Sequence, residues 1–87
     1  MNYNVYILYA PLKLKSYVGF TNDLERRLWE HNNSSNSSFT SKFKPWIMIH
    51  TEPFKTKKEA MVREKWFKTG IGRKFKQEII RNYLINS

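Results

Sequence analysis

Residues 3–10 (Tyr-Asn-Val-Tyr-Ile-Leu-Tyr-Ala) are crowded with β-branched and aromatic side chains and predict a strand that Pro11 ends. Lys15–Phe20 predicts the returning strand of a hairpin. With a loop of residues 11–14, Ala10 pairs with Lys15, Tyr6 lies opposite Gly19, and Leu8 lies opposite Tyr17. Those four then share one sheet face, with the two tyrosines as diagonal neighbours. Gly19 leaves that face open beside Tyr6, where a ligand can approach. A loop of odd length would destroy the arrangement, because a one-residue slip turns every side chain to the other face.

The pattern then changes period. Thr21-Asn22-Asp23 supplies an N-cap, and Leu24–Asn33 predicts a first helix with acids near its start. Leu24, Arg27, Leu28 and His31 fall on the i, i+3, i+4, i+7 stripe that normally faces a core. An arginine and a histidine thus stand where the period asks for apolar residues. Asn32–Ser38 is polar, low in complexity and reads as a loop. Lys44–Glu52 predicts a third strand around Trp46-Ile47-Met48-Ile49. Thr56-Lys57-Lys58-Glu59 matches a capping box that opens a second helix, running to about Thr69 with Gly70 as its C-terminal turn. Its inward stripe is Ala60, Met61, Glu64 and Phe67, which puts one carboxylate in an apolar row. A last helix over 73–85 should bury Phe75, Ile79, Ile80, Tyr83 and Leu84. The expected fold is α+β: a small three-stranded antiparallel sheet flanked by helices, in the order β-β-α-β-α-α, as a single domain over residues 1–87.

Composition narrows the chemistry. The 87 residues hold 16 Lys and Arg against 7 Asp and Glu, a formal charge of +9, and no cysteine. The isoelectric point is about 10.0, the electrostatic footprint of a polyanion binder. Disulfide scaffolds and thiolate metal sites are excluded. Neither a membrane-length apolar run nor a signal-peptide pattern is visible, so the expectation is a cytoplasmic protein with no membrane partner. Lysines and arginines crowd the second half, and Lys42, Lys44, Arg63, Lys68, Arg73 and Lys74 are candidate nucleic-acid contacts. Such contacts give affinity with little sequence reading. Trp29, Trp46 and Trp66 suit either core packing or stacking on unpaired bases.

Tyr6, Tyr17, Arg27 and His31 are the groups needed to hold and attack a phosphate. The planar fork of Arg27 suits phosphate oxygens. His31 titrates near neutrality by type and can take or relay a proton. Tyrosine is a poor base at its ordinary pKa of about 10, so Tyr6 needs help from His31, Arg27 or a metal. Glu64 is the natural ligand for Mg²⁺, which often takes one or two protein carboxylates plus substrate phosphate. The bland alternatives are a solvated Arg27, a structural histidine, ordinary strand tyrosines, and Glu64 paired with Lys68 at i+4 or with a core-edge arginine.

The combination of Asn4-Val5-Tyr6, Tyr17-Val18-Gly19, Thr21 to Leu28 and His31-Asn32, with Glu59-Ala60, Arg63-Glu64-Lys65 and Lys68 to Lys74 later, resembles the GIY-YIG nuclease superfamily over nearly the whole chain. It is most similar to the small single-domain YhbQ-like bacterial group related to the excision-repair nuclease. The resemblance implies a divalent-metal phosphodiesterase using Mg²⁺ or Mn²⁺ and cutting DNA. By position, Tyr6 and Tyr17 are the motif tyrosines, Arg27 the phosphate clamp, His31 the helix histidine and Glu64 the metal ligand. Asn4 replaces the first motif glycine, and Phe20 stands where the repair nucleases place a lysine. Asn82 is the nearest counterpart of a terminal asparagine in some homing members. No appended DNA-recognition domain is seen, which leaves targeting to DNA shape or to a protein partner. The expected function is a structure-selective DNA endonuclease acting on branched or distorted DNA in repair or recombination. The alternative is a non-catalytic nucleic-acid-binding or adaptor module on a nuclease scaffold. RNA stays open as a substrate, because backbone contacts alone do not distinguish the sugars.

Overall fold

The computed structural model describes residues 2–33 and 42–86. Its elements are β1 (Tyr3–Ala10), β2 (Lys15–Thr21), α1 (Leu24–Asn33), β3 (Ile47–Phe54), α2 (Lys57–Trp66) and α3 (Gly70–Asn86). The sheet is antiparallel with strand order β2-β1-β3. The α+β class and the order β-β-α-β-α-α are those expected. Of the polar stretch 32–38, Asn32 and Asn33 close α1, and the remainder lies outside the described residues.

The hairpin has the anticipated register, with Ala10 against Lys15, Leu8 against Tyr17 and Tyr6 against Gly19. Because β1 is central, its alternate residues feed two cores. Val5 and Ile7 pack with Val18, Ala60 and Phe67, under α2 and α3. Tyr6, Leu8 and Ala10 pack with Trp46, against Leu24 and Leu28 of α1. On β3 the register steps between the partners of Ile7 and Leu8, leaving Ile49 as an inserted residue. Pro53 is tolerated in β3 because that strand is an edge.

The helix starts follow capping chemistry. Asp23 Oδ1 accepts the Arg26 N–H at 3.1 Å, while Thr21 Oγ1 accepts from the Asp23 N–H at 3.1 Å. Thr56 and Glu59 form the anticipated capping box at α2.

Four expectations are corrected. The third strand starts at Ile47 and runs to Phe54, not over 44–52, because Trp46 is held outside the ladder by the side chain of Asn32. Gly70 is not a left-handed turn, since no glycine has positive φ among the described residues. Instead α3 begins there, and Thr69 Oγ1 accepts the Gly72 N–H at 3.2 Å as its cap. The glycine that matters is Gly72: a β-carbon there would strike the Trp66 carbonyl and come 2.5 Å from Phe67 Cα. Met61 is exposed, whereas Arg63 lies among the aromatic rings that close this core. Phe75 and Leu84 are also exposed, so α3 buries chiefly Ile80, with Ile79 and Tyr83 partly covered.

Candidate active site

The pleat of β1 and β2 and the inward stripe of α1 converge on one spot. Tyr6 and Tyr17 come from the sheet, Arg27 and His31 from successive turns of the helix. Ring centroids lie 6.4 Å apart for Tyr6–Tyr17, 5.8 Å for Tyr6–His31 and 5.1 Å for Tyr17–His31. The Tyr6 hydroxyl is hydrogen-bonded to His31 Nε2 at 2.9 Å. The space over Gly19, expected from the sequence to be open to a ligand, is taken by the tyrosines themselves: a β-carbon there would sit 2.6 Å from Tyr6 Oη and 3.0 Å from Tyr17 Cε2.

Burial sets the protonation states. Tyr6 is pushed up to about 12, first by desolvation and then by the neighbouring Tyr17 and Glu64, against the pull of Arg27. Its phenol is therefore protonated at neutral pH. His31 lies below its ordinary value, again mainly through desolvation, with the Arg27 charge adding to it and Glu30 opposing. It is neutral at pH 7 and can accept a proton. Arg27 is raised, first by its hydrogen bond to Glu30 and next by Tyr6. Arg27 Nη1 donates to Glu30 Oε1 at 3.0 Å, in a pair whose side chains are both 42% exposed.

Glu64 occupies the inward stripe of α2 between Ala60 and Phe67, and its side chain is only 19% exposed. Its nearest cationic partner is Lys68, at 4.0 Å, the outer limit of an ion pair. Its charge bears on the Tyr6 phenol, while Ala60 and Phe67 of its stripe pack with Val5 and Ile7, on the other core from Tyr6. Among the described residues no cluster of three or more His, Asp or Glu could hold a metal. Glu64 thus stands as one carboxylate for a metal, Glu30 being paired with Arg27. That fits Mg²⁺ or Mn²⁺, which keep several waters and share substrate phosphate oxygens.

The basic candidates separate into two kinds. Lys42, Lys44, Lys68, Arg73 and Lys74 are exposed. Arg63 is engaged: Nε and Nη2 donate to the two oxygens of Glu52 at 2.8 and 3.1 Å, and its guanidinium lies 4.2 Å from the Trp66 ring centre. His50 completes the group at 2.9 Å from Glu52 Oε2. Of the tryptophans, Trp46 is buried, Trp66 is partly covered and stacked by Arg63, and Trp29 is 64% exposed.

Sequence reasoning missed Asn32. Its side chain donates to the Trp46 carbonyl at 3.1 Å and accepts the Trp46 N–H at 2.6 Å, tying the end of α1 to the start of β3. The signal was its place directly after His31. Lys15 was missed too: its ammonium lies 5.6 Å from the Phe43 ring centre, on the tyrosine face.

The model of the GIY-YIG catalytic domain matches residues 2–77. The chain belongs to the GIY-YIG catalytic domain family. It is similar to a UPF0213 protein of Enterococcus faecalis, 42% identical over 69 residues that cover 77% of each chain. The UPF0213 protein YsiG of Lactococcus lactis is 39% identical over 83 residues, covering 95% of this chain and 79% of the relative. The solution NMR structure of the UPF0213 protein BH0048 from Bacillus halodurans superposes with a TM-score of 0.54 at 33% identity. It covers 91% of this chain and 83% of that one. Membership in the GIY-YIG family implies nuclease activity with DNA as the substrate, and its nucleases generally use divalent metals. No helix among the described residues is long and apolar enough to cross a membrane.

Proposed function

We propose that the protein is a divalent-metal-dependent DNA endonuclease that hydrolyses phosphodiester bonds, selects branched or distorted DNA, and serves repair or recombination. The observation that carries this reading is the 2.9 Å bond between the Tyr6 phenol and a neutral His31. A phenol pushed up to about 12 does not ionise by itself near pH 7. Paired with His31, it does not need to. As its oxygen accepts the proton of the attacking water, its own proton passes to Nε2, so the proton is stored without forming a phenolate. Arg27, partly exposed, would present its fork to the phosphate oxygens, and Tyr17 would orient the same group through its hydroxyl. Glu64 would hold Mg²⁺ or Mn²⁺ together with the substrate phosphate. Bound there, the ion supplies Lewis-acid stabilisation of the charge developing on the phosphate and leaving oxygen. Lys42, Lys44, Lys68, Arg73 and Lys74 would bind neighbouring phosphates, which gives salt-sensitive affinity with weak sequence preference.

One observation favours a second reading, a non-catalytic nucleic-acid-binding or adaptor module: Arg27 already has Glu30 as a partner at 3.0 Å. That pair is half-exposed and worth at most about 1 kcal/mol, so a phosphate can displace it.

The test is cleavage of labelled branched, flap and plain duplex DNA, with Mg²⁺ or Mn²⁺ against chelator, beside Arg27→Ala and Glu64→Ala. Metal-dependent cuts lost by at least about a hundredfold in both folded variants are expected. Retained cutting by Glu64→Ala removes Glu64 from the mechanism. Salt-sensitive binding without any cutting assigns the adaptor role.

A further inference from the structure

We propose that the turn between β1 and β2 is a wedge that parts stacked bases at a DNA branch point, beside the site where the tyrosines act. The inference rests on the nuclease reading for its substrate and extends it to how that substrate is selected. The turn is Pro11-Leu12-Lys13-Leu14, and both leucines are 76% exposed. Among the described residues nothing covers them, although the turn itself is well tied, with the Lys13 N–H donating to the Ala10 carbonyl at 3.2 Å. Leu14 has a φ of 53°, in the left-handed region that suits glycine or asparagine far better than leucine. An exposed leucine in a disfavoured backbone conformation is stabilised neither by burial nor by local geometry. Such an outlier points to a role outside folding.

Two further observations choose the occupant. Lysines alternate with the leucines, at Lys13 and Lys15, in a chain of net charge +9, so the tip complements a polyanion and repels a second copy of itself. Lys15 also shares the sheet face of Tyr17, its ammonium 5.6 Å from the centre of Phe43, which packs against the buried cluster that contains Tyr6. Apolar side chains that enter base steps, flanked by cations that grip the phosphates, are how proteins kink and unstack DNA. A branch point is the cheapest place for this, since its bases are already partly unstacked. Tyr17 lies three residue steps beyond Leu14, about 10 Å at the usual strand rise, or about three nucleotides of stacked DNA. The tip therefore marks the branch and the tyrosines address a phosphate about three nucleotides away.

The experiment compares the full chain with a Leu12→Ser, Leu14→Gly double variant, whose fold is confirmed by circular dichroism. Glycine at position 14 relieves the backbone. Binding is measured in chelator to a forked DNA and a plain duplex, each carrying 2-aminopurine, in the fork at the branch. The expected result is a rise in 2-aminopurine fluorescence on the fork and a fork-to-duplex affinity ratio that falls about tenfold in the variant. An unchanged ratio and unchanged fluorescence overturn the proposal, as does a failure to bind either DNA. Metal-dependent cutting without leucine-dependent fluorescence sinks the wedge and leaves the nuclease reading intact. Leucine-dependent fluorescence without cutting does the reverse. Self-association in ultracentrifugation that needs the leucines, with an unchanged ratio, overturns the wedge and assigns the tip to a second copy.

Discussion

The phenolic oxygen of Tyr6 and Nε2 of His31 lie 2.9 Å apart in a pocket that leaves the two residues 1% and 4% exposed. A buried pair of this kind is satisfied only while the ring accepts or donates one proton, and adding a second to the imidazole puts an unpaired charge inside the protein.

The first prediction is therefore a pH dependence. The pKa of His31 is lowered in the folded state, so between that value and its ordinary 6.5 the unfolded chain binds more protons. Its stabilising contribution is complete above pH 6.5 and is lost as pH falls through the folded value. The slope is at most about 1.4 kcal/mol per pH unit, the limit for a single proton. Cleavage should follow the same group, rising with pH and levelling off by about 6.5. Thermal melts across this range check it: His31→Gln should remove the slope. Glu52, lowered by Arg63 and His50 against its desolvation, acts in a separate window below 4.5.

Gly19 is the second target. The Tyr6 ring is held in the core and cannot swing away from the added methyl of Gly19→Ala, which would meet Oη at 2.6 Å. Moving the phenol breaks its bond to His31. The expected cost is about 1–3 kcal/mol, as for other overpacked cores, together with a loss of cleavage of at least about a hundredfold. Denaturant melts and single-turnover rates on the same sample check both. A variant that cuts at the normal rate would show that the Tyr6–His31 bond is not needed.

Much of this site was legible because it is local. An even four-residue turn fixes which side chains share a face with Tyr6, and the cap at Asp23 fixes the phase in which Arg27 and His31 follow Leu24. What was not legible depends on distant partners. Gly70 reads as the C-terminal turn of the second helix, yet α3 starts there because Thr69 caps it and Gly72 lets the chain press on the end of α2. Met61 reads as core by period, but the ring surfaces of Trp66, Phe67 and Phe75 are taken by Arg63. The reason is Glu52, eleven residues away on a different element, which no periodicity announces. The composition that suggests DNA binding is likewise blind to which cations are already engaged.

Arg63 accordingly separates two roles in a third prediction. Arg63→Ala leaves Glu52 without its two-pronged partner and uncovers the aromatic rings. A fully buried pair broken this way costs about 3–5 kcal/mol. Here the arginine side chain is 30% exposed, and about 1–3 kcal/mol is expected after discounting for solvent. Arg63→Lys should not restore it, because a point charge cannot bond both oxygens and stack. Arg73→Ala and Lys74→Ala should leave stability within about 0.5 kcal/mol and each lower the salt slope of DNA binding by about 1. Melts combined with affinity measured across a salt series distinguish the two outcomes.

The last prediction concerns Asn32, which follows His31 directly in α1. Its amide satisfies both the N–H and the carbonyl of Trp46, a residue only 3% exposed. Asn32→Ala therefore removes two hydrogen bonds to the Trp46 backbone at the edge of the core that packs Tyr6, at a cost of about 1–3 kcal/mol. Asn32→Asp does not rescue it, since a carboxylate accepts from the N–H but faces the carbonyl with no proton to donate. If the clamp holds the end of α1 in place, the Trp46 amide should exchange its hydrogen faster in both variants, and cleavage should fall because His31 loses its fixed approach to Tyr6. Normal Trp46 exchange in Asn32→Ala would show that the strand is held without the clamp, and that α1 is positioned by Leu24 and Leu28 alone.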